Sequence, residues 1–245
     1  MTVFSIGGRP IGPDYPAFVI AEVGINHNGE LTKAMEMIRV AKRAGADAVK
    51  FQTFEADKFV GDAAQLLTYR SQGRDVTESM LDMFQRYELP KSAWREIASE
   101  CRRQDIIFMS TPQNRSDLDL LLEVDIPAIK IGSDDFNNLP LIRSFASTGL
   151  PLILSCGMSD MAEVYQALDA AGAFEGRPVA LLLCTSQYPT PPTDVNLKKL
   201  KTLRQAFPGL VTGFSDHTQG SLASSLAVAT VPPSGEQAMS RIAAV

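Results

Sequence analysis

The chain has 245 residues, 45% hydrophobic and 21% charged, with a formal charge of -5 and a pI near 5.1. That length suits one large α/β domain with a sizeable core, and the acidic balance excludes a basic nucleic-acid surface. No apolar run approaches the roughly 20 residues of a bilayer span, and no basic segment leads into an apolar stretch at the start, so the expected location is cytoplasmic.

The first seventeen residues hold Gly7-Gly8, Pro10, Pro13 and Pro16 and read as turns or a small hairpin capping the bottom of the domain. Phe18-Val19-Ile20-Ala21 then reads as a buried strand, and Leu31, Ala34, Met35, Ile38 and Ala41 recur at helical spacing. Between them lies a polar, Gly-containing turn, and in α/β units the loop after the strand is where ligands sit. Glu22, Asn26, His27 and Asn28 are therefore candidates for chemistry. The second strand, Ala48 to Gln52, carries Lys50, whose ammonium needs a partner inside a sheet. Residues 54 to 76 form a long polar stretch with little periodicity. Helices are expected over Thr77–Arg86 and Ser92–Cys101, broken at Pro90.

Further strands follow at 106–109, 128–131, 151–154, 179–183 and 210–214, each ending in small or polar residues and each but the last leading into a helical pattern. Lys130 is a second strand-borne lysine. Ser159 is the expected N-cap of the helix that Gly172 closes, and another helix is expected over Asn196–Phe207. Seven strand-to-helix units in a row predict a parallel (β/α)8-type TIM barrel rather than an open sheet, with its polar residues collected at one face.

Two ammonium groups, Lys50 and Lys130, with the hydroxyls of Thr53, Ser110, Thr111, Ser133 and Ser155, describe a pocket for an anion with several oxygens, such as a phosphate plus a carboxylate. No phosphate-binding glycine loop follows any strand. His217 beside Asp216 is a possible metal ligand, but one histidine does not make a site. Glu22 can bind sugar hydroxyls, move protons or balance a lysine. Cys101, Cys156 and Cys184 have neither disulfide-framework nor zinc spacing.

In chain order, IAEVGINHNG, AVKFQTF, FMSTP, IKIGS, LSCGM, CTSQYPTP and GFSDHT resemble the sialic acid synthase family, the N-acetylneuraminate and legionaminate synthases, from about residue 18 to residue 220. The resemblance implies a transferase that condenses phosphoenolpyruvate with an N-acetylmannosamine-type sugar to a nine-carbon 2-keto acid and phosphate. It further implies a divalent metal, manganese or magnesium, on the sugar aldehyde, and a homodimer. By the same resemblance Lys50, Thr111, Lys130, Ser133, Ser155 and Ser215 contact phosphoenolpyruvate, with Gln52 nearby, and Glu22, Lys50 and Lys130 are catalytic. Glu22, Ser186 and Tyr188 face the sugar, Ser186 standing where some members carry Asn, and His217 is one of two histidine metal ligands.

After Ala229 the resemblance stops. The family's eighth strand with its second metal histidine, and its small antifreeze-like domain, have no counterpart in 230–245, where Pro232-Pro233 breaks any helix or central strand. His27 is the chain's other histidine and belongs to the first loop, so the second metal ligand is expected to be missing. The organisation expected is a cap (1–17), a barrel lacking its eighth strand–helix unit (18–229) and a divergent tail (230–245), with little or no activity. The alternatives are another phosphoenolpyruvate-condensing keto-sugar-acid synthase, or a remnant that only binds ligand or a partner subunit.

Overall fold

The computed structural model describes residues 3–12, 15–71, 74–229 and 242–244. The chain begins with an antiparallel hairpin, β1 (Phe4–Ile6) and β2 (Arg9–Ile11), turned by Gly7 and Gly8 at positive φ. Then come β3 (Phe18–Gly24), α1 (Leu31–Arg43), β4 (Ala48–Thr53), the single-turn α2 (Ala56–Phe59), a second hairpin of β5 (Leu66–Ser71) and β6 (Arg74–Ser79), α3 (Met80–Tyr87) and α4 (Lys91–Arg103). The rest alternates strictly: β7 (Ile107–Pro112), α5 (Arg115–Leu122), β8 (Ile129–Ile131), α6 (Leu139–Ala146), β9 (Leu152–Ser155), α7 (Met161–Ala170), β10 (Val179–Leu183), α8 (Lys199–Ala206), β11 (Val211–Ser215), α9 (Leu222–Ala229) and β12 (Ile242–Ala244).

Eight of these strands close a parallel barrel in the order β3-β4-β7-β8-β9-β10-β11-β12. The seven expected strands are all present. The gap expected after β11 is bridged by β12, which pairs with Phe214 and Ser215 on one side and with Phe18, Val19 and Ile20 on the other. Among the described residues no helix follows it, and the expectations placed on 230–241 lie outside them.

Alternation along the strands sorts the side chains into an interior and an exterior. Phe18, Ile20, Ala48, Met109, Ala128, Ile153, Ala180, Leu182 and Val211 pack inside the barrel, where Ile6 and Ile11 of the first hairpin join them. Val49, Phe51 and Phe108 point the other way, onto α1 and α4 through Ile38, Trp94 and Ile97, and Ile129, Ile131, Leu152 and Leu154 do the same toward α6 and α7. The apolar inner layer lies toward the amino ends of the strands. One step further along, at the same inward parity, stand Glu22, Lys50, Gln52, Thr111, Lys130, Ser155 and Ser215. The carboxyl ends of the strands thus carry a polar layer on an apolar plug.

Three local expectations are corrected. Leu66–Ser71 and Arg74–Ser79 pair antiparallel, so β6 occupies Thr77–Ser79, where a helix is expected to start; the pairing is carried by polar cross-strand partners, Thr68 with Thr77 (2.8 Å) and Tyr69 Oη donating to Glu78 (2.7 Å), which leave no apolar period to read. The N-cap of α7 is Asp160, not Ser159. Its carboxylate accepts from the amides of Ala162 and Glu163 while Glu163 accepts from the Asp160 amide, a complete capping box. Finally, α8 starts at Lys199 rather than Asn196, after a 3-10 turn at Pro192–Asp194.

Candidate active site

A cavity of about 750 Å³ opens at the carboxyl ends of the strands. Glu22, Lys50, Gln52, Thr111, Lys130, Ser133, Ser155, Ser186, Tyr188, Ser215 and His217 all line it, so every residue that the resemblance assigns to substrate or metal is brought to one place. Thr53 and Ser110 are not. They have outward parity on β4 and β7, where their hydroxyls bond each other at 2.6 Å in the buried wall. Of the first loop, Asn26 lines the cavity and His27 and Asn28 do not.

The charged end rests on β3, β4 and β8. Glu22 and Lys50 are register partners on neighbouring strands, and their side chains form an ion pair. Lys50 is almost fully buried, and the second oxygen of Glu22, Oε1, is buried without a hydrogen-bond partner among the described residues. Lys130 Nζ is buried too, and its one hydrogen bond goes to the carbonyl of Ile131, the next residue (2.6 Å). Burial, then repulsion from Lys50, pushes its pKa down to about 7. Ser155 Oγ is buried and has no partner among the described residues, an arrangement that native proteins keep where a ligand or water completes it. Ser133 Oγ accepts from the amide of Gly157 (3.0 Å), leaving its proton free to donate, and a Cβ at 157 would press on Ser133 and Ser186. This end can hold an anion through two ammonium groups and several hydroxyls.

The opposite wall comes from the loops after β10 and β11. The imidazole of His217 stacks on the Tyr188 ring, with centroids 4.0 Å apart. His217 Nδ1 donates to the Thr185 carbonyl at 2.7 Å, since a carbonyl only accepts, and Nε2 meets Tyr188 Oη at 3.0 Å. Cys184 Sγ lies 3.8 and 3.9 Å from the two ring nitrogens. Burial favours the uncharged forms, but the contact between thiol and ring outweighs it, so the His217 pKa is raised and the Cys184 pKa lowered. Tyr188 is 77% exposed as a residue, but partial desolvation of its hydroxyl against His217, with Cys184, Glu22 and Asp134 nearby, raises its pKa, so it stays a phenol.

A divalent metal fits this donor set poorly. Both His217 nitrogens are already bonded within the wall. His27, the chain's other imidazole, is 1% exposed and packs on Phe51, and burial pushes its pKa down to about 4. Among the described residues no three His, Cys, Asp or Glu side chains are placed to hold one metal ion.

Residues that the sequence reading left without a role also line the cavity: Gln113, Asp134, Met158, Cys184 and Thr218. For Cys184 the signal was available, because it has the same inward parity as Ala180 and Leu182.

A family model described as the NeuB family matches residues 37–231. The chain belongs to the NeuB family. Among curated relatives, N,N'-diacetyllegionaminic acid synthase of Legionella pneumophila is 38% identical over 226 residues, covering 91% of this chain and 63% of that protein. N-acetylneuraminate-9-phosphate synthase of Homo sapiens is 34% identical, covering 91% and 61%. The chain thus spans less than two thirds of these relatives' length. The N-acetylneuraminic acid synthetase of Leptospira borgpetersenii, crystallised with citrate, superposes with a TM-score of 0.84 at 29% identity, over 98% of this chain and 76% of that one. Among the described residues no helix is long and apolar enough to cross a membrane.

Proposed function

We propose that this chain binds phosphoenolpyruvate at the lysine end of the cavity and an N-acetylated amino sugar beside it, the substrate pair that condenses to a nine-carbon 2-keto acid and phosphate. One observation carries the reading: two buried lysines, on β4 and β8, and a Ser155 hydroxyl on β9 that is orphaned among the described residues line one cavity at the strand ends. Two buried lysines that repel each other, with Glu22 paired to Lys50 alone, call for further anionic oxygens. The kinship with legionaminic and neuraminic acid synthases supports the choice of substrates. Free thiols at Cys101, Cys156 and Cys184 suit a cytoplasmic protein.

In this reading Lys50 and Lys130 hold the phosphate and carboxylate, Thr111, Ser133, Ser155 and Ser215 donate hydroxyls to their oxygens, and Gln52 flanks them. The enol carbon forms a bond to the sugar's aldehyde carbon, whose oxygen takes up a proton. Water adds at C2, and the C2–O bond breaks as phosphate leaves. Glu22, anchored by Lys50 through one oxygen, keeps the other for a sugar hydroxyl or for the attacking water. A divalent metal would supply Lewis-acid polarisation of the aldehyde, and His217 is the residue that the resemblance would give it. Since the donors described supply it poorly, no step here passes through it, and turnover by the 245-residue chain is expected to be near background.

Calorimetry with phosphoenolpyruvate, followed by phosphate release with N-acetylmannosamine and with N-acetylated diamino sugars, with and without Mn²⁺, tests this. Binding with slow release is the expected result. Absence of phosphoenolpyruvate binding overturns the assignment, and robust Mn²⁺-dependent release overturns the expectation of low turnover.

A further inference from the structure

Directly after β8 the chain reads Gly132-Ser133-Asp134-Asp135, and the two acidic residues are placed differently. Asp135 is half-buried, accepts from Asn138 Nδ2 at 3.2 Å, and does not line the cavity. Asp134 does line it. The residue is exposed on the cavity wall, and its carboxylate folds back over Gly132, where an added Cβ would collide with Oδ1 and make the carboxylate turn away. Asp134 has no hydrogen bond and no ion pair among the described residues, and it acts electrostatically on both Lys130 and Tyr188. It therefore stands where the anion end of the cavity meets the Tyr188 wall.

Resting on the function proposed above, we infer that Asp134 is a specificity-determining residue that recognises the hydroxyl or amide N–H donors of an uncharged acceptor sugar. A carboxylate is an acceptor only, so its natural partner is a neutral ligand rich in donors. It does not attract phosphoenolpyruvate, which is anionic, and it disfavours any acceptor whose own phosphate lies nearby. Asp134 thus separates the two substrates by charge: the lysines take the anion and the carboxylate takes the sugar.

The test titrates N-acetylmannosamine, and separately its 6-phosphate, into the 245-residue chain saturated with phosphoenolpyruvate, using wild type, Asp134→Asn, Asp134→Gly and Gly132→Ala. Loss of a charged hydrogen-bond acceptor weakens binding by roughly ten-fold or more. That loss is expected for the neutral sugar in Asp134→Gly, a smaller one in Asp134→Asn, and a loss similar to Asp134→Gly in Gly132→Ala, which displaces the carboxylate without removing it. The 6-phosphate is expected to bind more weakly than the neutral sugar to wild type, with the gap narrowing in Asp134→Gly. Equal affinities for the neutral sugar in wild type and Asp134→Gly overturn the inference, as does failure of wild type to bind the sugar at all. Phosphoenolpyruvate affinity, expected to change less than about two-fold in Asp134→Gly because the lysine end is intact, reports separately on the function proposed above.

Discussion

Lys50 and Lys130 enter the cavity from within strands, whereas Ser186, Tyr188 and His217 enter it from loops beyond β10 and β11. The strand-borne wall is fixed by barrel register and left short of partners: Lys130 reaches one carbonyl and Ser155 Oγ reaches nothing. The loop-borne wall is satisfied within itself, with both His217 nitrogens bonded and its ring stacked. A ligand therefore gains more from the strand wall, whose polar groups have already been desolvated without full compensation.

The largest expected effect is on anion binding. Lys130→Met should weaken phosphoenolpyruvate binding by roughly 100-fold, since truncating a buried charge that meets a ligand charge typically costs about 2 to 5 kcal/mol. Lys50→Met should do the same and also lower the unfolding free energy by about 1 to 3 kcal/mol, because Glu22 loses its ammonium partner. Denaturant titration checks the second effect. Unchanged affinity in both variants would erase the difference between the walls.

His217→Ala sharpens the contrast. Phosphoenolpyruvate affinity should stay within about three-fold of wild type, because the imidazole's hydrogen bonds are spent on Thr185 and Tyr188 rather than on the anion end. A large loss would show that the loop wall also holds the anion.

The pH dependence follows from Lys130. In the empty cavity its pKa is lowered to about 7 by burial and by Lys50, so it is charged below that pH and neutral above it. A phosphate group completes its second ionisation near pH 6, so the ligand's charge is almost constant above pH 7. Affinity should therefore fall as pH rises past about 7, approaching ten-fold per unit, with one proton taken up on binding. Calorimetry in buffers of different ionisation enthalpy measures that uptake, and Lys130→Met should abolish it.

The smallest effect belongs to a pair behind the wall. Thr53→Val removes the bond to buried Ser110, which should lower stability by about 1 kcal/mol and leave ligand affinity unchanged.

The same contrast governs what could be read from sequence. Each of the first seven barrel strands is an apolar run followed by a polar or small residue, so their positions and the residues around the cavity are legible in the sequence. Thr53 and Ser110 were misplaced because their parity was not counted: Val49, Phe51 and Thr53 share one side of β4, and Lys50 and Gln52 share the other. Asp134 reads in sequence like any acid of a solvated loop, and it is exposed; only its carboxylate's place over Gly132 on the cavity wall sets it apart. The hairpin of β5 and β6 left no signature because polar pairs hold it together. Little in Arg-Ile-Ala-Ala marks a barrel strand, and its place depends on the two strands that flank it.

That short strand gives the barrel a seam. β12 is the only stave between β11 and β3, and it pairs with just two residues of one and three of the other. Glu22 stands on β3, Ser215 ends β11 and His217 follows it, so the cavity rim straddles the seam. A ligand touching both sides would act as a clasp across the first and last parts of the chain, and its binding would be registered as slower amide exchange along β3 and β11 before it appeared in any product.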